Sequence, residues 1–172
     1  MRKTICLVPG VLNEAGALDK FLKYHSWADE IIILDSGSTD ATEEVCNRYG
    51  RRIIKRPVDG NYNQRSAFAI TQTKADWIFF ADPDEFITKE LKQEIDRVLD
   101  GEDDIYQAYE VPRVNFFMDK RLEHGGWSGY GLKFFKQEAV SFIGDSYHEK
   151  PIINGKIGRL KAEVLHYPNP NI

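Results

Sequence analysis

Cysteine is scarce in this chain of 172 residues, which contains two, Cys6 and Cys46. Two cysteines at this separation match no metal-binding spacing, and they are too few for a disulfide framework. One lies in a segment predicted as a buried strand and the other in a predicted helix. The scarcity of cysteine therefore indicates the reducing cytoplasm as the compartment.

Long hydrophobic runs are also missing. No stretch approaches the roughly 18 apolar residues that a membrane-spanning helix needs. The N-terminal residues Met1-Arg2-Lys3-Thr4 lead straight into a strand-like segment. We therefore expect neither a secretion signal nor a transmembrane anchor.

Positive charge is not in excess. The chain has 23 Lys and Arg residues against 27 Asp and Glu residues, which gives a formal net charge of −4. A surface that binds the phosphates of nucleic acid usually has the opposite balance. We therefore expect no nucleic-acid partner.

What is present is the composition of an ordinary globular protein, with 42% hydrophobic and 29% charged residues. This profile differs from that of a disordered chain. The length fits one compact domain. Because no linker, internal repeat or low-complexity tract divides the sequence, we predict a single domain over residues 1–172.

The first half alternates strand-like and helix-like patterns. Apolar runs predict strands at 4–8, which Pro9-Gly10 ends, and at 31–34, 52–55 and 77–81. Helices are predicted at 14–25 and 63–73, after Asp40 up to Gly50, and after Thr88 up to Gly101. Asp40 and Glu43 have the form of a capping box. This β-α-β-α-β-α-β-α succession implies a mostly parallel sheet with right-handed crossovers.

The second half has a different character. Strands are predicted at 106–117, 132–136 and 163–167, with few helical stretches between them, and aromatic residues and glycines crowd here. We predict that the front half, 1–101, binds one ligand. The back half, 102–172, would form another wall of the same site.

Polar residues follow three of the predicted parallel strands. Asn13-Glu14 follows the first, Asp35-Ser36-Gly37-Ser38 the second and Asp82-Pro83-Asp84 the fourth. Ligands of open α/β sheets bind outside the carboxyl ends of the strands. One acidic strand end is as well explained by a helix cap or a solvated turn, but three at one sheet edge favour a binding site.

Asp82 and Asp84 are two residues apart, so an extended backbone would point both carboxylates the same way. Carboxylates held together are destabilised unless a cation neutralises them. Oxygen ligands suit Mg²⁺ or Mn²⁺, which commonly bridge carboxylates to substrate phosphates. Neither a Gly-X-Gly-X-X-Gly turn nor a Walker lysine motif is present. The pattern therefore predicts a nucleotide held by acids and a metal.

Three segments together resemble family 2 glycosyltransferases of the GT-A fold. They are Ile31-Ile-Ile-Leu-Asp-Ser-Gly-Ser-Thr-Asp40, Gln64-Arg65-Ser66-Ala67 and Asp76-Trp77-Ile-Phe-Phe-Ala-Asp-Pro-Asp-Glu85. The subgroup most similar adds glucose-type sugars to lipopolysaccharide cores. Its pattern also matches later pairs and triplets: Gly126-Trp127, Lys133-Phe134-Phe135, His148-Glu149 and Leu165-His166-Tyr167.

The resemblance implies an α/β, Rossmann-like nucleotide-diphospho-sugar transferase fold with a mostly parallel central sheet flanked by helices. A smaller β-rich region would form the acceptor side. It also implies an inverting, metal-dependent transfer of a hexose, glucose in the first instance, from a UDP-sugar to a glycan or glycolipid. The product would belong to lipopolysaccharide or another surface polysaccharide. Peripheral contact with the cytoplasmic face of the membrane and a homo-oligomer remain open; the latter is motivated by the short C-terminal part.

The resemblance also implies roles for single residues. Asp84 would be the main metal ligand, and Asp82 would lie against the ribose or the metal. Arg65 would meet the pyrophosphate, with a surface ion pair as the alternative. Asp35 would contact the uracil or the ribose. The other residues implied in substrate binding are Asn13, Glu14, Ser36, Gly37 and Trp127.

An inverting transfer needs a base that takes the proton from the acceptor hydroxyl. Glu149 is the candidate base, and Asp119 and Asp145 are its rivals. His148 or His166 would be a third metal ligand, unless they are packing residues. Trp127 and Tyr130 would stack on a sugar face, although plain core aromatics would look identical in sequence.

Two other functions remain open on the sequence. A sugar-nucleotide pyrophosphorylase would share the α/β front, but its glycine- and arginine-rich N-terminal signature is absent. A nucleotide-sugar or glycan-binding module without turnover would share every donor contact. Transfer to an acceptor, or formation of UDP-sugar from UTP and a sugar phosphate, discriminates among the three.

Overall fold

The computed structural model describes residues 1–56, 62–102, 104–117, 120–122, 129–142 and 151–168, with the backbone alone at 62–65 and 117. Its helices are α1 Ala15–Tyr24, α2 Thr42–Arg48, α3 Tyr62–Ile70 and α4 Lys89–Leu99. The strands of the front half are β1 Ile5–Val11, β2 Glu30–Asp35, β3 Arg52–Lys55, β4 Trp77–Ala81 and β5 Glu85–Ile87. Those of the back half are β6 Tyr106–Phe117, β7 Lys120–Arg121, β8 Gly129–Lys136, β9 Val140–Ser141, β10 Ile152–Ile153, β11 Lys156–Arg159 and β12 Val164–His166.

One ten-stranded sheet runs through both halves of the chain. Its order is β3-β2-β1-β4-β8-β6-β12-β5, and β7 and β11 pair with β6 at the side. The four front strands β3, β2, β1 and β4 are parallel, as predicted. The sheet then continues through β8, which is antiparallel to both β4 and β6. The back half thus extends the front sheet.

The core lies on both faces of the sheet. Ile5, Cys6, Leu7 and Val8 of β1 are at most 1% exposed. Because strand residues alternate between faces, Ile5 and Leu7 pack in one cluster with α1 and α4. Cys6 and Val8 pack in the other, which includes residues of α3. Uninterrupted apolar runs such as these are expected for parallel strands covered by helices on both sides.

Three details of the predicted elements are wrong. The strand β1 does not end at Pro9-Gly10, because Gly10 and Val11 still pair with Leu34 and Asp35 of β2. Asp40 is not the N-cap of α2, which is Ala41, although its carboxylate accepts from the amide of Thr42, the first residue of that helix, at 3.0 Å. A short strand, β5, follows Asp84 where the sequence predicted none, because it pairs with β12 from the far end of the chain.

The helix signal at Thr88 is confirmed. The Thr88 hydroxyl accepts a hydrogen bond from the Leu91 amide at 3.1 Å, and α4 follows directly. Gly101, with a φ of 98°, ends that helical segment in a conformation that glycine tolerates best. Among the helices in the described ranges, none has the length and apolar composition that crossing a membrane requires.

Both cysteines are free and buried. Burial, as the largest effect, raises the pKa of the Cys6 thiol to about 12 and that of Cys46 to about 11. Since the thiolate is the reactive form, both side chains remain neutral at physiological pH. Their roles are those of small apolar core residues.

His25 joins α1 to β5 in the core and is 0% exposed. Its Nδ1 donates to the Phe21 carbonyl at 3.0 Å, and its Nε2 accepts from the Ile87 amide at 3.2 Å. These two bonds together require the neutral ring. Burial lowers the pKa of His25 to about 4, from a usual value of 6.5.

His25 should make the protein less stable in mild acid. Because its pKa is lower in the folded chain, its contribution is complete above about pH 6.5 and is lost as the pH falls to about 4. The loss should reach about 3 kcal/mol. Urea unfolding across this range, for the wild type and His25→Gln, measures it. The difference in unfolding free energy between the two should shrink with acid; a constant difference contradicts the prediction.

Candidate functional site

The carboxyl ends of β1, β2 and β4 lie at one edge of the sheet, because these strands are parallel. The loops that follow β1 and β2 are bonded to each other. The Ser36 amide donates to the Val11 carbonyl, and the Asn13 amide donates to the Ser38 hydroxyl, both at 2.9 Å. The structure thus brings the polar residues of these two strand ends together.

Asp35 shapes the turn after β2. Its side chain is buried, and its Oδ1 accepts from the Ser38 amide at 2.9 Å and the Ser38 hydroxyl at 2.6 Å. It also accepts from the Gly37 amide at 3.3 Å. Gly37 has a φ of 104°, so the turn needs glycine at this position. One carboxylate oxygen of Asp35 is therefore engaged in holding this turn.

Asn13 holds the turn after β1 against the segment that leads into α2. It has a positive φ of 57°, which asparagine tolerates better than most residues. Its Oδ1 accepts from the amide of Thr39 at 2.7 Å and that of Asp40 at 3.3 Å. Asp40 in turn accepts from the Ala15 amide, and so caps the first turn of α1. The predicted substrate residue Asn13 thus also organises the loops.

Glu14 stands among other carboxylates. Burial is the largest cause that raises its pKa, and the charges of Asp84, Asp82 and Asp40 raise it further, against a lowering hydrogen bond from the Leu12 amide. Three negative groups therefore lie close enough to Glu14 to act on it. Such crowding is relieved by a bound cation, which fits the predicted metal at this edge.

The segment after β4 is a tight turn, so the predicted extended Asp82-Pro83-Asp84 is wrong. The Glu85 amide donates to the Asp82 carbonyl at 3.0 Å, which closes the turn. Pro83 occupies its second position, where the fixed φ of proline suits common turn types. The two aspartates consequently face different partners. The Asp82 side chain is 51% exposed and lies 3.8 Å from an Arg113 nitrogen.

Asp84 instead faces His166 on β12. Its Oδ2 lies 3.2 Å from His166 Nε2, and both side chains are mostly buried. His166 is paired with Asn115 of β6, and its Nδ1 donates to the Asn115 Oδ1 at 2.5 Å. The Tyr167 amide also donates to the Asp84 carbonyl at 3.0 Å. The strand order thus brings Asp84 and His166 together from opposite halves of the chain.

The donor set of Asp84 and His166 fits a divalent cation. Metal-binding histidines commonly donate their other ring N–H to an oxygen, as His166 donates to Asn115. With Nδ1 directed at Asn115, Nε2 is the ring nitrogen that faces the Asp84 carboxylate, and a proton or a metal cation between the two atoms would make this contact favourable. The separation is also that of adjacent ligands with metal bonds of about 2.1 Å.

Protein ligands alone do not complete a coordination shell here. Within the described ranges, no group of three or more His, Cys, Asp or Glu side chains is arranged to hold a metal ion. Mg²⁺ and Mn²⁺ sites often use one or two protein carboxylates and take their other ligands from water and substrate phosphates. A cation held by Asp84 and His166 alone would leave coordination positions for water and for a phosphorylated ligand.

A small cavity of about 130 Å³ lies beside the turn. It is lined by apolar residues of the central strands together with two charged side chains: Val8, Gly10, Leu34, Phe80, Ala81, Asp82 and Lys133. The Lys133 side chain is only 15% exposed, and its ammonium lies 2.7 Å from a Glu85 carboxylate oxygen. Sequence reasoning missed Arg113 and Asn115, because only the pairing of distant strands brings them to this edge. Glu85 and Lys133 belong to segments that carry the family resemblance, but their ion pair was not predicted.

Several predicted residues lie outside the described structure. They are Glu149, His148, Trp127, Asp119, Asp145 and, for its side chain, Arg65. Arg65 belongs by its backbone to α3. Tyr130 is half exposed, and the guanidinium of Arg159 covers its ring at 4.8 Å. One face of the Tyr130 ring is therefore already in contact with the protein.

Asn13→Ala should destabilise the protein by about 2 kcal/mol, because it removes an acceptor of backbone amides and replaces asparagine with a residue that tolerates a positive φ less well. Asn13→Gly is the matched control. It loses the same acceptor but tolerates the backbone, so its loss should be smaller by about 1 kcal/mol. Urea denaturation measures both. Equal losses would show that the positive φ carries no strain.

The known sequences that are similar to this chain include several glycosyltransferases. Residues 11–151 match the family described as Glycosyl transferase family 2. An uncharacterized glycosyltransferase of Rickettsia bellii (strain RML369-C) is 37% identical over 172 residues, covering 93% of this chain and 58% of the relative. The lipopolysaccharide core biosynthesis glycosyltransferase LpsC of Rhizobium meliloti (strain 1021) is 33% identical over 174 residues, covering 91% and 60%. The chain thus spans about three fifths of the length of these relatives.

Solved structures with a similar fold include glucosyl-3-phosphoglycerate synthase from Mycobacterium tuberculosis. Its complex with Mn²⁺, UDP and phosphoglyceric acid aligns with a TM-score of 0.66 at 18% identity, covering 98% of this chain and 72% of that one. Its complex with Mn²⁺ and UDP-glucose aligns with a TM-score of 0.53 at 25% identity, covering 66% and 44%. The first alignment runs through both halves of the sheet.

Proposed function

Because the chain belongs to Glycosyl transferase family 2 and has the GT-A fold predicted from its sequence, we propose an inverting, metal-dependent hexosyl transfer. The donor would be a UDP-sugar, with glucose as the first candidate. The acceptor would be a glycan or glycolipid of lipopolysaccharide or another surface polysaccharide. The observation that carries this proposal is the Asp84–His166 pair, whose histidine is oriented by Asn115.

Asp84 and His166 would hold Mn²⁺ or Mg²⁺, and Asp82 and His148 are the further ligands proposed. The cation, when bound, would neutralise charge that develops on the leaving diphosphate. Support comes from the solved synthase, whose complexes contain Mn²⁺ with UDP or UDP-glucose. Asn115 would keep the His166 ring in the orientation and tautomer that ligation requires.

The nucleotide would bind along the edge where β1, β2 and β4 end. Asp35, with Ser36 and Gly37, would contact the uracil or ribose, and Asn13 and Glu14 would line the same edge. The apolar wall of the small cavity, which includes Leu34 and Phe80, is adjacent. Arg65 would meet the pyrophosphate from α3. The front half, 1–101, would in this way supply most of the donor contacts.

The back half, 102–172, would supply the acceptor side. An inverting transfer needs a base opposite the leaving diphosphate, which removes the proton of the attacking hydroxyl. Glu149 is the residue we propose, with Asp119 and Asp145 as the alternatives to be tested beside it. Trp127 would stack on a sugar ring, and Tyr130 would do so through the ring face that Arg159 leaves open.

We also propose a cytoplasmic location, with peripheral contact to the membrane that would present a glycolipid acceptor. The name of LpsC, a lipopolysaccharide core biosynthesis glycosyltransferase, supports this choice of acceptor class. A second copy of the chain could complete the acceptor side. Sedimentation of an active preparation would test that assembly, and an active monomer would contradict it.

Binding of UDP should depend on Mn²⁺ and on Asp84. Calorimetry should find that Mn²⁺ increases the affinity of the wild type for UDP. In Asp84→Asn and in His166→Gln, the affinity for UDP in the presence of Mn²⁺ should fall at least tenfold. Tenfold corresponds to about 1.4 kcal/mol. Asp104→Asn is the matched control. Asp104 contacts Lys3 and Lys136 at the opposite end of the sheet, so its loss should leave UDP binding unchanged.

A folded wild-type protein whose binding of UDP ignores Mn²⁺ would contradict the metal-dependent proposal. Transfer is tested with labelled UDP-glucose and deacylated lipopolysaccharide cores of graded length. Donor binding without transfer to any acceptor would favour the module without turnover. Release of pyrophosphate from UTP and glucose 1-phosphate would favour the pyrophosphorylase.

A further inference from the structure

Glu85 is a fully buried carboxylate, 0% exposed, next to the proposed metal ligand Asp84. Its Oε2 accepts from the Asp82 amide at 3.0 Å and from the Lys133 ammonium at 2.7 Å. Its Oε1 lies 3.1 Å from the Nε of Arg113. One side chain thus touches the turn, β8 and β6.

A buried carboxylate is destabilising unless it is paired and hydrogen-bonded. Oε2 of Glu85 meets that requirement through the Lys133 ammonium and the Asp82 amide, and Oε1 lies at ion-pair distance from Arg113 without a hydrogen bond to it. A leucine or methionine would fill a core position here without needing either cation. A charged residue at this position therefore indicates a structural role other than packing.

The contacts of Glu85 fix the turn from both sides. The Glu85 amide donates to the Asp82 carbonyl, and the Asp82 amide donates to the Glu85 carboxylate, both at 3.0 Å. The two residues are thus reciprocally bonded across Pro83 and Asp84. Asp84 is held in addition by the Tyr167 amide on its carbonyl. This arrangement leaves the backbone of the turn little freedom.

The two basic side chains that lie beside Glu85 come from two paired strands of the sheet. Lys133 lies on β8 and Arg113 on β6, and these two strands pair along most of β8. Arg113 also reaches Asp82, with a nitrogen 3.8 Å from its Oδ2. A turn held only by its own backbone would lack these ties. Through Glu85 it is attached to two paired strands, which supports a well-defined site.

We propose that Glu85 is a positioning residue, which through Asp82, Lys133 and Arg113 sets the orientation of the turn that carries Asp84. This inference rests on the proposed function for its consequence, the affinity of the Asp84–His166 site for a divalent cation. Outer residues that orient metal ligands typically change metal affinity 10- to 100-fold when substituted. Glu85 itself would contact neither the metal nor the reacting atoms.

The test compares Glu85→Gln and Lys133→Gln with Asp104→Asn in the full chain. Glutamine keeps the shape and an acceptor for the Asp82 amide but removes the charge that draws in the two cations. Asp104→Asn removes a carboxylate that also joins two lysines, at the far end of the sheet. Amide hydrogen exchange without metal reports on the turn through the amides of Glu85 and Tyr167, with Leu7 in β1 as the internal reference. Calorimetry that titrates Mn²⁺ into the protein in the presence of excess UDP reports the metal affinity.

We expect exchange at the Glu85 and Tyr167 amides to rise at least tenfold relative to Leu7 in Glu85→Gln, and Mn²⁺ affinity to fall at least tenfold. Lys133→Gln should change the exchange rates and the Mn²⁺ affinity in the same direction by a smaller factor. If Glu85→Gln does not fold, Lys133→Gln is the variant that tests the proposal. Asp104→Asn should change neither. A folded Glu85→Gln with unchanged exchange at the turn would overturn the proposal, as would loosened exchange with unchanged Mn²⁺ affinity. A wild type that binds no Mn²⁺ would instead contradict the proposed function, and the exchange data would still judge the positioning role.

Discussion

The parallel pairing of β1 with β2 and β4 is the constraint on which the site depends. Parallel strands place their carboxyl ends at one edge, and here that edge receives Asn13, Glu14, Asp35 and the turn from Asp82. The pairing is maintained by a core on both faces of β1. A register shift in β1 would therefore disturb the core and the site together.

Several carboxylates lie at this edge of the sheet, and their negative charges are stabilised in different ways. Asp35 and Asp40 are satisfied by backbone amides and hydroxyls of their own loops. Glu85 is neutralised by Lys133 and Arg113. Asp84 faces Nε2 of His166 at 3.2 Å, where either a proton on the ring or a bound cation would balance its charge. The proposed metal position is thus the carboxylate whose partner, His166, is itself a possible metal ligand.

The sequence predicted those features that depend on neighbouring residues. The runs at Ile31–Leu34 and Trp77–Ala81 are buried strands, and the Thr88 cap lies where its spacing indicated. The capping box predicted at Asp40 is not formed, because Ala41 is the N-cap of α2, and the Asp40 carboxylate bonds to Thr42 with one oxygen and to Ala15 of α1 with the other. The shape of the turn after β4 could not be predicted from the sequence either, because it depends on Lys133 and Arg113, which lie on strands far along the chain. Asn115 was missed because only the register with β12 places it beside His166.

The position of β12 has a consequence for how the protein is made. This strand inserts between β6 and β5, parallel to one and antiparallel to the other. The alternating front half can begin to fold while the ribosome is still producing the rest, since domains tend to form as synthesis proceeds. The contact between Asp84 and His166 has to wait for nearly the whole second half to be translated. A nascent chain would therefore form the edge that carries Asn13, Glu14 and Asp35 well before His166 could reach Asp84 to complete the proposed metal site.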